Sequence, residues 1–389
     1  MTDLMDVKPR LCTSPGSWSV TSTPTEAKPP CPLLYSRLSK YVRDARQRAG
    51  LCCTEGAQQE LMRTLQWASC DGQMLRPASV LLGARPLTVG LMGDSTMSQI
   101  FEALLFDLYE SGTPLTYIER SGEEEKRPEL YATDAACTVR PGAQPRRGGS
   151  KVSLVLQRGA SCTATRYSQR APHWEKCLHL PAVELRLGPE PPETEVDTRS
   201  ALRFWRIDKD DNGPKLCPNA TFFTQRMQAV LRGSDVTFFN VGLHYNHERS
   251  EYETTLRTML KAIATHRRSF FMHTFPQHFH SRSGSGLWGD FLADGPRTGA
   301  CIPGCINATR RQWRNAMLER VAADVGLSDR LVRIDHILRP LHLLHRPRTS
   351  RCAGQDCTHY CFHPRLWSPV LDLLLRSVVN AQSHVEPSP

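Results

Sequence analysis

The chain has 389 residues, 28 prolines, 14 cysteines and a formal net charge of +10. This length suits a large buried core, the proline count speaks against a fibre, and no apolar run approaches the ~20 residues that cross a bilayer. The basic residues are dispersed apart from short clusters such as Arg146-Arg147, Arg267-Arg268 and Arg310-Arg311, with no aromatic-interleaved stripe. A solvated basic surface therefore outweighs nucleic-acid binding, although the charge still favours an acidic partner.

Residues 1–35 are rich in Pro, Ser and Thr and read as a flexible or cysteine-tied arm. Residues 36–380 read as one α/β domain and 381–389 as a tail. Helical patterning opens the domain over 36–80, with Leu38, Tyr41 and Val42 on one face. Leu87 to Met92 is a short apolar, partly β-branched run, which predicts a buried parallel strand. Gly93-Asp94-Ser95 supplies a tight turn. Ile100, Phe101, Leu104, Leu105 and Leu108 then recur at helical spacing, so Ser95 falls at a helix N-terminus.

Residues 111–220 are irregular, with charged and Gly/Pro-rich stretches around one predicted strand, Val152 to Leu156. They read as an elaborated insertion. Beyond them the spacing predicts helix Phe223–Leu231, strand Asp235–Val241, helix Tyr252–His266 and strand Ser269–His273. A long loop follows over Thr274–Cys305. Helix Arg310–Val325, strand Leu331–Ile334, a loop carrying Asp356 and His359, and a last helix, Pro364–Val379, complete the series. Strands alternating with helices predict a parallel sheet covered on both faces. Functional groups of such sheets gather at the carboxyl ends of the strands. Ser95, Asn240, Thr274 and the loop after Ile334 all fall there.

Asp356 stands three residues before His359, so its carboxylate can meet one ring nitrogen. The other nitrogen is left to take a proton from Ser95, and the three groups would make an activated hydroxyl nucleophile for acyl chemistry. Ser95 could instead serve only as a helix cap. Asn240, at a strand end, suits donation to a developing oxyanion, or equally an Asn-x-Gly turn. Cys301, Cys305, Cys352, Cys357 and Cys361 crowd the same region and are candidates for disulfides that hold the histidine loop. With His359 or His363 they could instead make a zinc site, but their x3 and x4 spacings are not those of paired zinc knuckles. No metal is expected.

Taken in order, Gly93-Asp94-Ser95, Phe239-Asn240-Val241-Gly242-Leu243-His244, and Asp356-Cys357-Thr358-His359-Tyr360-Cys361 followed by Trp367 resemble the PC-esterase family. That family includes the plant trichome-birefringence-like polysaccharide O-acetyltransferases. Thr274-Phe275-Pro276-Gln277-His278-Phe279, with Trp288 and Cys301 beyond, resembles a further block of it. The resemblance runs from about Leu87 to Leu375. It implies an SGNH-hydrolase-like three-layer α/β/α fold with a loop-rich insertion. It implies Ser95 as nucleophile, His359 as base, Asp356 as its orienting acid, and Ser95 N–H with Asn240 as oxyanion donors. His278 and Trp288 become substrate-contact candidates.

There are departures. Tyr360 stands where the family has Trp, His273 where it has Arg, and no glycine for a further oxyanion donor is identified in 111–220. The expected activity is carbohydrate O-acyl transfer, with esterase action or non-catalytic glycan binding as alternatives. An acyl donor such as acetyl-CoA or an acetylated carrier would be a co-substrate, with no other cofactor. The acceptor would be a carbohydrate, an anionic one being favoured by the charge.

The cysteines and the sequons at Asn219 and Asn307 favour the secretory pathway, in the Golgi lumen or outside the cell. Met1 to Lys8 show no signal-peptide core and no anchor is visible, which is at odds with that expectation unless the true N-terminus differs.

Overall fold

A computed structural model describes residues 16–20, 53, 56–69, 71–83, 85–121, 137–140, 150–156, 162–168, 183–189, 191–192, 194, 196–207, 227–294, 301, 313–346 and 356–383. Of the helical patterning expected over residues 36–80, the face carrying Leu38, Tyr41 and Val42 lies outside these residues, as do the sequons at Asn219 and Asn307 and Cys305 and Cys352.

Strand β1 (Ser17–Val20) pairs antiparallel with β2 (Leu65–Ala68), which follows helix α1 (Gly56–Thr64); helix α2 (Pro77–Leu81) leads on to the main sheet. At the heart of that sheet lies β3 (Thr88–Gly93), which runs directly into helix α3 (Ser95–Glu110). Then come β4 (Leu115–Ser121), β5 (Cys137–Arg140), β6 (Ser150–Leu156), β7 (Cys162–Ser168), β8 (Val183–Leu187) and β9 (Ala201–Arg206). Residues 227–232 are helical. The chain continues through β10 (Val236–Asn240), α4 (Arg249–Ala264), β11 (Ser269–Met272), α5 (Trp288–Ala293), α6 (Trp313–Asp324), β12 (Leu331–Val332) and α7 (Asp335–Leu338). A ribbon of β13 (His345–Arg346) and β14 (Asp356–Tyr360) precedes the last helix, α8 (Pro364–Ser383).

Among the described residues the sheet has ten strands in the order β12-β11-β10-β3-β9-β8-β4-β6-β7-β5. From β12 to β9 every pairing is parallel. Beyond β9 the pairings turn antiparallel until β5, which runs parallel to β7. The insertion is thus richer in strands than its one predicted strand. Its polar and Gly/Pro-broken segments hide short strands that extend the sheet, and β9 joins the parallel half beside β3.

Alternation along the strands divides the interior into two apolar layers. Val89, Leu91, Phe238 and Met272 face Ile100 and Leu104 of α3 and Leu371 and Leu375 of α8. Met92, Phe239 and Phe271 face Leu256 and Leu260 of α4 and Leu318 and Val321 of α6. Such near-continuous apolar strands are what a sheet covered on both faces requires. The result is a mixed α/β fold whose central sheet is parallel from β12 to β9 and lies between helical layers. It directs the loops after β3, β10 and β11 to one edge.

Candidate active site

Gly93 ends β3 where the backbone passes close to its neighbour. A Cβ built there would lie 2.5 Å from the Asn240 carbonyl oxygen and 2.8 Å from Met97 Cβ. The chain then turns into α3 with Asp94 as its N-cap. Asp94 is fully buried, and one carboxylate oxygen accepts from Thr96 N–H at 2.9 Å and Thr96 Oγ1 at 2.6 Å. Capping therefore belongs to Asp94, and Ser95, the first helical residue, keeps its hydroxyl for other contacts.

That hydroxyl meets the ribbon from the far end of the chain. His359 Nε2 lies 2.7 Å from Ser95 Oγ, and His359 Nδ1 lies 2.8 Å from Asp356 Oδ2. The strand geometry explains how residues 356 and 359 share a side. β13 and β14 pair only at His345↔Tyr360 and Arg346↔Asp356, with an irregularity between them. The chain bulges over 357–359, and bulges re-aim side chains. The expected loop is therefore a short, kinked strand. Asp356 Oδ1 accepts the N–H groups of Thr358 at 3.2 Å and His359 at 3.1 Å, so the carboxylate holds both the ring and its backbone.

An acceptor carboxylate beside Nδ1 selects the tautomer with hydrogen on Nδ1, leaving Nε2 to accept from the serine. Burial alone would raise the Asp356 carboxyl. The charge and hydrogen bond of His359, with Arg346 nearby, outweigh it and hold Asp356 well below the ordinary carboxylate range. The His359 and Asp356 side chains keep 22% and 27% of their surface exposed, so the group is open to small molecules.

Two disulfides bracket His359. Cys357 is bonded to Cys301, and Cys361 to Cys53, 308 positions away. These bonds take three of the five clustered cysteines away from any zinc site.

Asn240, the expected oxyanion donor, sits at the end of β10. The residue is fully buried, and its Nδ2 donates to the His273 carbonyl at 2.8 Å and towards that of Met272 at 3.4 Å. Through these contacts the amide ties β10 to the end of β11. Two residues on, Gly242 adopts φ +154° and a Cβ built there would lie 2.4 Å from Thr274 Oγ1, a conformation and a closeness that favour glycine.

His278 does not present itself to a substrate. It is fully buried, with Nδ1 2.6 Å from His345 Nε2 and Nε2 3.0 Å from the Arg339 carbonyl oxygen. His345, pulled down to about 4 by burial, lies with Nδ1 3.1 Å from the His359 carbonyl oxygen. The pair therefore packs behind the ribbon. Trp288 is half-buried in an aromatic group with Phe279 and Phe291, at ring separations of 4.9 and 5.4 Å. The same apolar cluster includes the Cys301–Cys357 pair.

Sequence reasoning missed Gln277 and Arg314. Arg314, 4% exposed, donates Nε to the Tyr245 carbonyl at 2.8 Å and Nη1 to Gln277 Oε1 at 3.2 Å. Gln277 Nε2 in turn donates to Thr358 Oγ1 at 3.0 Å, beside the histidine. Burial draws Arg314 down to about 10, which leaves it cationic at neutral pH. Arginine close to the Arg310-Arg311 cluster reads as surface charge, so nothing in the pattern marked it.

No family model matches the chain. No curated protein matches it. Among solved structures it is similar to one described as "Peptidoglycan O-acetylesterase in action, 5 min", with 11% identity, a TM-score of 0.36, and coverage of 79% of this chain and 97% of that one. The disulfides are compatible with an oxidising compartment. Among the described residues no helix is long and apolar enough to cross a membrane.

Proposed function

We propose that the chain is an acyl-transferring enzyme of the PC-esterase kind, a carbohydrate O-acyltransferase that moves acetyl groups through an acyl-serine. The observation that carries this reading is the 2.7 Å contact between Ser95 Oγ and His359 Nε2, backed by Asp356 on the other ring nitrogen. An unactivated serine is a poor nucleophile, and this arrangement is what activates one.

In the first half-reaction Ser95 Oγ attacks the donor carbonyl carbon while its proton passes to His359 Nε2. The Ser95 N–H, in the first turn of α3 and outside the helical ladder, donates to the oxyanion. The tetrahedral intermediate collapses, the leaving group takes the proton from His359, and an ester on Ser95 remains. In the second half-reaction an acceptor sugar hydroxyl gives its proton to His359 and attacks the ester carbonyl. Collapse returns the proton to Ser95 Oγ. Asp356 stabilises the imidazolium in both halves.

A second reading is an acyl esterase, with water as acceptor. The partial exposure of His359 and Asp356 favours it, because transfer requires that water be kept from the acyl-serine. Non-catalytic glycan binding would leave a preorganised nucleophile without purpose. The basic surface would suit an anionic acceptor, and a Golgi or extracellular setting would suit the disulfides.

The test is a single donor assay with acetyl-CoA or an acetylated glycan, with and without an oligosaccharide acceptor, scoring acetyl-sugar against free acetate. Transfer exceeding hydrolysis, and loss of both in S95A, supports the transferase. Acetate alone assigns the esterase. No turnover with any acetyl donor counts against both.

A further inference from the structure

Four residues after Ser95, on the same face of α3, stands Gln99. It is 3% exposed and buried against the ribbon. Its Nε2 donates to the Tyr360 carbonyl at 2.8 Å, and its Oε1 accepts the Tyr360 N–H at 3.2 Å. One side-chain amide thus grips both polar groups of one backbone residue. The partners fix its orientation, since a carbonyl can only accept and an N–H only donate. Arg346 Nε donates to the same Tyr360 carbonyl at 3.3 Å, and Arg346 lies 3.6 Å from Glu102, three positions further along α3. Ser95, Gln99 and Glu102 therefore form one stripe of α3 that faces the ribbon.

We propose that Gln99 is a positioning residue that sets the distance between Ser95 and His359. This rests on the acyl-serine reading above. Ser95 and Gln99 share a rigid helix, one turn apart. His359 and Tyr360 share a peptide bond. Gripping Tyr360 therefore registers the histidine ring on the very helix that carries the nucleophile. Among the described residues the ladder has two pairings, one at either end of the bulge, and the disulfides hold Cys357 and Cys361 to other parts of the chain. Gln99 is a side chain that ties the ribbon to α3 beside Ser95. A buried amide held only for packing is a poor choice in a helix, where leucine or methionine fills the space without polar groups to satisfy. Gln99 touches no reacting atom; it acts through Tyr360.

The experiment compares the wild type, S95A, Q99M and Q99E in the full chain, reading the rate of Ser95 modification by a fluorophosphonate probe and hydrogen exchange at the Tyr360 amide. Q99M keeps the volume and loses both bonds. Expected are Tyr360 exchange at least about 10-fold faster and Ser95 labelling about 10- to 100-fold slower, as a displacement near 1 Å implies.

Q99E keeps an acceptor for the Tyr360 N–H but turns a second oxygen towards its carbonyl. Protonation of that carboxyl restores a donor. Its labelling rate relative to wild type should therefore recover as pH falls, which a merely packing role would not produce. Wild-type protein that is not labelled at Ser95 removes the acyl-serine reading, while the Tyr360 exchange rate still judges the clamp. Labelled wild type with Q99M unchanged in both readouts, or Q99E without pH-dependent recovery, overturns the positioning role.

Discussion

The Ser95 hydroxyl oxygen and His359 Nε2 lie 2.7 Å apart although 264 positions separate the two residues in the chain. Neighbouring residues on α3 divide the labour at this point, since Asp94 caps the helix and Ser95 does not. S95A should abolish acetyl transfer or hydrolysis and leave the melting temperature unchanged. D94A should do the reverse in kind, costing about 1–2 kcal/mol for the lost cap. Urea denaturation of both variants checks the split. A destabilised S95A would return the serine to the role of a cap.

D356N should lower kcat by about 10⁴-fold, because the amide can donate to His359 Nδ1 and favour the wrong tautomer. Steady-state kinetics on an activated acetyl ester measures this. A loss smaller than about 10-fold would remove Asp356 from its orienting role.

The Cys53–Cys361 bond ties residues 308 positions apart and ends two residues beyond His359. C53S should lose about 2–5 kcal/mol of stability, the usual range for a removed disulfide. Ser95 reactivity should fall with it, since the ribbon loses an anchor. Equal urea midpoints and equal labelling rates in wild type and C53S would contradict this.

Much of this site was legible because its signals are local. An apolar run, a Gly-Asp-Ser turn and a helical repeat place Ser95 at a strand end, and the three-residue interval links Asp356 to His359. Bulge and ribbon were hidden, because the partner strand described for β14 is only His345–Arg346, too short to show any alternation. Strand β9 was hidden for a related reason: its parallel neighbour β3 is over a hundred residues away, and its own Arg203 and Arg206 break the apolar run. The roles of Gln99, Gln277 and Arg314 depend on which way an amide or guanidinium faces, and a polar residue on a helix or loop reads from sequence as a solvated one. The carbonyl partners of the Asn240 amide were hidden for the same reason.

N240A separates two tasks for Asn240. An oxyanion donor would cost about 10²–10³ in kcat with little change in stability. An amide that satisfies buried carbonyls costs stability, about 1–3 kcal/mol. The bonds to the His273 and Met272 carbonyls predict a lower melting temperature as the leading effect, followed by calorimetry beside kinetics. A stable N240A with a hundredfold lower kcat would instead assign oxyanion donation to Asn240.

His273 sits between two carboxylates, 2.7 Å from Asp335 and 3.0 Å from Glu319. Burial opposes its charge, but the bonds to Asp335 and Glu319 prevail and raise it above the ordinary histidine value. Glu319, bonded by His273 and Arg333, is lowered to about 2; Asp335 also reaches about 2, its bond to His273 overcoming burial. A raised histidine stabilises fully below its unfolded value of about 6.5 and loses that contribution as pH climbs through its folded value. Lowered carboxylates stabilise above about 4 and lose it as pH falls through about 2. The melting-temperature gap between wild type and H273Q should therefore peak between about pH 4.5 and 6.5 and narrow on both sides. A gap that does not vary with pH would mean that His273 carries no charge there.

The most direct measurement is a rapid acid quench of the protein with a labelled acetyl donor, followed by peptide mass spectrometry. The account predicts an acetyl ester on Ser95, absent in S95A, accumulating when the acceptor is withheld. Turnover of the donor with label on another residue, or with no acyl-enzyme at any time point, would contradict it.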